Sequence, residues 1–286
     1  MKNFHDKTAF ITGAANGIGL GIAAALIRAG ANVAIADIAA AALSRARSTL
    51  EAGGTRVFDI ALDVSDRHAM EGAQEKVAAE FGNVHVLVNN AGITLGPIPV
   101  TDIQPAQWDW IFGVNLFGIV NGVSAFIPRM LQHGEEAHVV NTASIGGLQV
   151  NRELQNGSYS MTKYAVVALS EALELQLEST NIGVSVLCPA LVRTTLQQSA
   201  QRRPDRFGGP YDKVEHGREL EMGAIQPEEL APGAVGARVL SAIRDDEFFI
   251  FTHPETRPWI EARYQRLMRG FDALDAYRNG LGSTAR

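Results

Sequence analysis

Cysteine and uncompensated charge are both scarce in this chain of 286 residues. A single cysteine, Cys188, excludes an intrachain disulfide and any multi-cysteine metal site. It sits in the apolar run VSVLCPA (184–190), which predicts a buried structural thiol rather than a reactive one. A net charge of −6 provides no basic surface for nucleic acid or anionic lipid, so neither is an expected partner. The start MKNFHDKTAFITG lacks a charged region followed by a long apolar stretch, so no signal peptide is expected. No segment approaches the ~20 apolar residues of a membrane span. The expectation is a cytoplasmic protein with no membrane partner.

What is present is a regular alternation of short β-rich runs with Ala-rich helical segments. Residues 8–12, 32–37, 56–64, 84–90, 137–144 and 183–190 read as strands, with a seventh at 247–252. They are apolar throughout rather than alternating, as strands covered on both faces should be. Helices are expected over 17–29, 39–52, 66–81, 105–132 and 158–179. The pattern predicts an α/β fold: a single-domain, Rossmann-type, doubly wound parallel sheet of about seven strands with helices on both faces. No linker, repeat or low-complexity tract divides the chain, so one domain over 1–286 is expected. Within it, 191–227 is too long for a plain connection and is a candidate substrate lid. A C-terminal arm from 253 reads as a helix that packs on another element or on a neighbouring subunit.

The run AFITGAANGIGLGIAAAL passes from a strand through Gly13, Gly17 and Gly19 into a helix. Such a turn suits a dinucleotide, because the backbone approaches a pyrophosphate without an intervening Cβ and helix N-terminal amides hold the negative charge. The same turn also serves as a tight strand–helix connection with no ligand. Asp37, at the end of the second strand, suits a carboxylate that accepts both hydrogen bonds from an adenosine ribose and repels a 2′-phosphate. It also suits a simple turn-forming Asp. Asn16 is neutral, and Ile38 and Ala39 are uncharged, so NAD is favoured over its phosphorylated form.

Further along, GSYSMTKYAV (157–166) sets Tyr159 four residues before Lys163, on one helix face. A free tyrosine with a pKa near ~10 is a poor base at neutral pH. A nearby ammonium and an oxidised nicotinamide are expected to lower it by favouring the phenolate. Tyr164 points about 140° away around the helix axis and is expected outside the cleft.

The glycine turn, the motif NNAG (89–92), Asn115, Ser144 and the Tyr159–Lys163 pair occur in one order along the chain. Together they resemble the short-chain dehydrogenase/reductase family over roughly residues 5–195. The resemblance implies that Thr12, Gly13, Asn16, Gly17, Ile18 and Gly19 form the cofactor turn, with Asp37 and Ile38 at the ribose. It implies that Asp63 and Val64 contact the adenine, and that Asn89, Asn90, Ala91 and Gly92 close the fourth strand along the cofactor. Asn115 would anchor a proton-relay water, Ser144 would orient the substrate oxygen, and Tyr159 would be the base, with Lys163 also holding the ribose. Pro189, Val192 and Thr194 would border the nicotinamide. The usual Pro-Gly after the sixth strand is here Pro189-Ala190. The loop between Ser144 and Tyr159 is slightly long, which would enlarge one wall of the substrate mouth.

Other chemistries lack their residues: there is no G-x-S-x-G elbow and no H-E-x-x-H. His253 is expected to be structural, and Arg202, Arg203 and Arg206 to form a solvated face. Ile93, Leu95, Leu148, Val150, Leu154, Leu191 and Leu196 are candidate walls of a roomy, partly apolar pocket. The expected reaction is NAD-dependent interconversion of a bulky secondary alcohol and its ketone. The segments 113–130 and 252–263 resemble those of bacterial Cα-dehydrogenases acting on bulky aromatic alcohols. A hydroxysteroid or polyol dehydrogenase, an acyl-carrier ketoreductase and a non-catalytic NAD-binding sensor are the alternatives. The small-molecule substrate is the expected partner, and the family resemblance implies a homotetramer or homodimer.

Overall fold

The computed structural model describes residues 1–52, 54–151, 156–211 and 227–284, with side chains described up to residue 280. Seven strands run β1 (Thr8–Thr12), β2 (Asn32–Asp37), β3 (Val57–Ala61), β4 (Val86–Asn89), β5 (Ala137–Thr142), β6 (Ile182–Cys188) and β7 (Phe249–Phe251). They form one sheet in the order β3-β2-β1-β4-β5-β6-β7, and every pairing is parallel. The strand order reverses between β1 and β4. In open α/β sheets the crevice at that reversal, beyond the carboxyl ends of the strands, is where ligands sit.

Side chains alternate across the sheet with period two, and both faces are covered. Ala9 and Ile11 of β1 and Val33 and Ile35 of β2 join one core with α1 (Gly17–Arg28), α2 (Ala40–Glu51) and α7 (Pro232–Asp245). Phe10 and Ala34 face the opposite core, with α3 (Arg67–Phe81), α5 (Gly118–His133) and α6 (Gly157–Leu177). There the Phe10 and Phe126 rings stack with centroids 4.6 Å apart. Continuous apolar strands therefore reflect two buried faces, as the sequence implied.

Two elements differ from the sequence expectation. The helix expected over 105–132 is α4 (Pro105–Phe112), a π-helical turn (Gly113–Phe117) and α5. Pro105 to His133 is also long and apolar enough to cross a membrane by length and composition, and half of its most apolar window is buried inside the molecule. Helix α7 was not expected at all. It packs on α1 by glycine contact: a Cβ on Gly21 would lie 2.2 Å from the Pro232 carbonyl oxygen, and one on Gly236 2.2 Å from that of Gly21. The C-terminal arm is α8 (Arg257–Thr284), preceded by a 3₁₀ turn (Pro254–Thr256).

Candidate active site

The carboxyl ends of β1, β4, β5 and β6 border one cavity enclosing about 1250 Å³ including its open mouth. Gly13, Asn16, Gly17, Ile18, Asp37, Ile38, Asp63, Val64, Asn90, Ala91 and Gly92 all line it. So do Ser144, Tyr159, Lys163, Pro189, Val192 and Thr194. Residues separated by up to 181 positions in the chain thus share one surface because the parallel sheet places every strand's end on the same side.

The glycine turn is closely packed on both flanks, against the Ala91 backbone on one and the Thr194 side chain on the other. Gly13 has φ +64°, and a Cβ there would lie 2.7 Å from the Ala91 Cα. Gly17 has φ +56°, and a Cβ there would lie 2.9 Å from the Thr194 Cγ2. These positive angles are the left-handed conformation that glycine adopts at least cost. Gly19 does not line the cavity; a Cβ there would lie 2.5 Å from the Gly13 carbonyl oxygen. Asn90 ties the turn to β4, donating from Nδ2 to the carbonyls of Thr12 (3.0 Å) and Gly13 (3.1 Å). Asp37 accepts from the amides of Ala15 (3.2 Å) and Ala39 (3.0 Å), which fixes its carboxylate beside the turn.

Ser144 follows β5. Its Oγ accepts from the Gly146 amide (3.1 Å) and donates to the Pro189 carbonyl (3.4 Å). The Tyr159 phenol is hydrogen-bonded to Ser144. Lys163 is buried, and its Nζ donates to the Thr142 carbonyl at 2.7 Å. It lies over the Tyr159 ring, 5.6 Å from the centroid. Burial pushes the phenol up to about 12, with the Ser144 hydrogen bond pulling the other way. Burial also draws Lys163 down to about 8. In the protein alone, desolvation of the phenolate therefore holds Tyr159 above the ordinary tyrosine range; the expected lowering invoked the ammonium together with an oxidised nicotinamide.

Asn115 is fully buried in the π-helical turn and does not line the cavity. Its Oδ1 accepts from the Ile93 amide (2.8 Å), and its Nδ2 donates to the Ile93 carbonyl (3.0 Å) and to Thr162 Oγ1 (3.1 Å). The side chain thus clips the loop after β4 to α6. A Cβ at Gly92 would touch Asn115 Oδ1 and Lys163 Nζ at 3.5 Å, an ordinary packing distance, so Gly92 lies directly beside both.

The segment after β6, the described part of the candidate lid 191–227, crosses above this groove, held by contacts that the sequence did not specify. Thr195 Oγ1 donates to Asn16 Oδ1 at 2.7 Å. Arg206 Nη2 donates to Asp63 Oδ2 at 2.5 Å and also to Ser65 Oγ. Arg203 lies between the Trp110 and Tyr211 rings, 5.8 and 5.4 Å from their centroids. A wholly solvated arginine face is therefore corrected: Arg206 and Arg203 are engaged, and the exposed Arg202 lines the cavity mouth. The wall residues need similar revision. Ile93 and Leu196 line the cavity, joined by the unanticipated Trp110, Val114, Ser199 and Pro204. Leu95 is instead buried in a cluster with Ile103 and Trp110, and Leu148 packs beside Val166 and Val167. Val150 and Leu191 are exposed. Leu154, and residues 212–226 of the expected lid, lie outside the described residues.

Three supporting residues match their expected character. Cys188 is buried, and burial pushes its thiol up to about 12. His253 is buried; its Nδ1 lies 3.3 Å from the Ala190 amide and its Nε2 3.1 Å from the Leu191 carbonyl, which holds the loop after β6. Tyr164 stays outside the cavity, beneath Arg263 at 5.2 Å.

Residues 7–205 match the family model described as short chain dehydrogenase. The chain is 35% identical over 283 residues to a C alpha-dehydrogenase of Sphingobium sp., covering 98% of this chain and 91% of that protein. It is 30% identical over 269 residues to a 1-deoxy-11-beta-hydroxypentalenate dehydrogenase of Streptomyces exfoliatus, covering 93% of this chain and 90% of that one. Among solved structures, a short chain dehydrogenase/reductase from Burkholderia phymatum in complex with NAD superposes with a TM-score of 0.86. It is 32% identical, and the match covers 94% of this chain and 97% of that one.

Proposed function

The chain belongs to the short-chain dehydrogenase family and is an NAD-dependent oxidoreductase, and from that premise we propose that it interconverts a bulky secondary alcohol and its ketone. The observation that carries the reading is one cavity holding Ser144, Tyr159 and Lys163 at one end and the Gly13–Gly17 turn with Asp37 at the other. The residues fit a nicotinamide dinucleotide. Gly13 and Gly17 let the turn adopt its left-handed angles and pack closely, Asp37 is held beside it, and Gly92 borders the same cavity. Asp37 would accept from the adenosine ribose, Asp63 and Val64 would border the adenine, and Pro189, Val192 and Thr194 would border the nicotinamide. When bound, oxidised NAD supplies the hydride acceptor and a positive charge near the phenol.

Tyr159 takes the hydroxyl proton of the alcohol as the C–H bond breaks, and returns it in the reverse direction. Ser144 donates to the same oxygen and stabilises the charge that develops there. Lys163, anchored on Thr142, places an ammonium beside the ring and holds ribose hydroxyls. Asn115 acts on this set through Ile93 and Thr162 and keeps α6 in register with the loop after β4. Residues 194–207, tied to Asn16 and to Asp63, form the described part of a lid over the groove.

A large, mostly aromatic alcohol is supported by Ile93, Trp110, Val114 and Leu196 along the wall. The Sphingobium relative is a C alpha-dehydrogenase, the kind of enzyme that segments 113–130 and 252–263 resemble. Arg202 at the same mouth favours a second reading, an alicyclic alcohol bearing a carboxylate. An alcohol panel of both types, followed by the absorbance of reduced NAD, separates them. Tyr159→Phe is expected to lower kcat by about 10²–10⁴-fold; equal rates in the two proteins would sink the assignment.

A further inference from the structure

Asp63 lines the cavity just beyond β3, whereas Ser144 follows β5, on the other side of the β1–β4 reversal. Most of the Asp63 carboxylate is committed within the protein. Oδ1 accepts from the Ser65 amide at 3.0 Å and from Ser65 Oγ at 2.6 Å. Oδ2 accepts from Arg206 Nη2 at 2.5 Å. A carboxylate has roughly four acceptor sites, so Oδ2 keeps one. The Arg206 guanidinium also stands over the Phe207 ring, 4.8 Å from its centroid. Phe207 and Ser65 pack on the same residue, since a Cβ on Gly113 would lie 3.5 Å from each.

Arg206 is thus one end of a strap whose other end is Thr195, donating to Asn16 of the glycine turn at 2.7 Å. Between the two ties, Leu196, Ser199, Arg202 and Pro204 line the groove. We propose that Arg206 is a cofactor-retaining residue: paired with Asp63, it closes the adenosine end of the groove over the dinucleotide and sets the rate at which the cofactor leaves.

The inference rests on the placement of the adenine beside Asp63. The remaining acceptor site on Oδ2 suits the adenine amino group, which donates, and the planar guanidinium beside it suits an aromatic face. The charge fits as well. Asp37 and Asp63 both face a groove that must hold an anionic pyrophosphate, and Arg206 offsets one of these carboxylates. The Arg206 side chain is 46% exposed and that of Asp63 22%, so the pair can part without unfolding its surroundings and is open to screening by salt.

The test is stopped-flow release of reduced NAD from the full chain, read by cofactor fluorescence at low and high salt. Near-ultraviolet circular dichroism controls for folding. Arg206→Ala is expected to release the cofactor about three- to fivefold faster, the range that a partly exposed pair supports. Wild-type release is expected to quicken with salt and Arg206→Ala release to ignore it. Arg206→Lys keeps the charge and is expected to keep the salt response at an intermediate rate. Adding Arg206→Ala to Asp63→Asn is expected to change nothing further, because the guanidinium acts through that carboxylate. Equal release from wild type and Arg206→Ala overturns the proposal, as does an undiminished salt response in Arg206→Ala. If Asp63→Asn weakens NAD binding while Arg206→Ala leaves release unchanged, the adenine placement stands and the strap alone falls. If Asp63→Asn binds NAD as wild type does, the placement falls and the strap with it.

Discussion

Lys163 Nζ is held at 2.7 Å by the backbone carbonyl of Thr142 while it stands over the ring of Tyr159. A side chain on α6 is thereby fixed to the end of β5, the strand that delivers Ser144. The acceptor is a main-chain carbonyl, so the tether is independent of the identity of residue 142. The cost is desolvation, which draws Lys163 down to about 8.

That value sets a pH dependence for the free enzyme. Below about 8 the ammonium is present; as pH rises through 8 it is lost, and with it the charge beside the phenol. For alcohol oxidation, kcat/KM is expected to fall along an alkaline limb centred near that pH, because kcat/KM reports the free enzyme's ionisations. Lys163→Met is expected to be slow throughout and to lack the limb. Initial rates of NAD reduction across neutral to alkaline pH check both statements; a limb retained in Lys163→Met assigns it to another group.

Asp37 accepts from two backbone amides and still faces the cavity. A hydrogen bond to a charged group contributes about 1.5–3 kcal/mol. Asp37→Ala is therefore expected to weaken NAD binding roughly tenfold or more, and to relax discrimination against the 2′-phosphorylated cofactor. Dissociation constants for the two cofactors by titration calorimetry decide it. A wild type that already prefers the phosphorylated form refutes the assigned role.

Far from the cavity mouth, His138 of β5 is buried with Nε2 2.7 Å from Ser185 Oγ and no hydrogen-bond partner for Nδ1. Burial draws it from 6.5 to about 3. The unfolded chain therefore takes up this proton first as pH falls, so stability is lost between about 6.5 and 3 and is level below. The loss amounts to a few kcal/mol, at about 1.4 kcal/mol per pKa unit. Urea midpoints measured down this range are expected to fall more steeply for wild type than for His138→Gln. Parallel slopes would mean that His138 carries no such linkage.

Strand positions were legible because seven short apolar runs lie between amphipathic segments, and a parallel sheet needs that pattern. Helix α7 was not foreseen; it contains Gly233 and Gly236, and glycine is a weak helix former, but Gly236 is there to meet Gly21 of α1. The break at Gly113–Phe117 was missed as well, since a π turn keeps helical periodicity nearly intact. Wall residues fared worst. Leu95, Leu148, Val150 and Leu191 differ little from Ile93 and Leu196 in type, and only the path of each loop decides which of them reaches the cavity.

By itself the sequence determined the order of elements, the carboxylate of Asp37 at the end of the second strand, and the helical spacing that puts Tyr159 and Lys163 on one face. These are local or periodic properties, set by neighbours a few residues apart. The tertiary structure decided how much the phenol's acidity suffers from burial, and that Arg206 reaches back to Asp63. Each of those depends on desolvation and on contacts between distant segments, which no stretch of sequence contains.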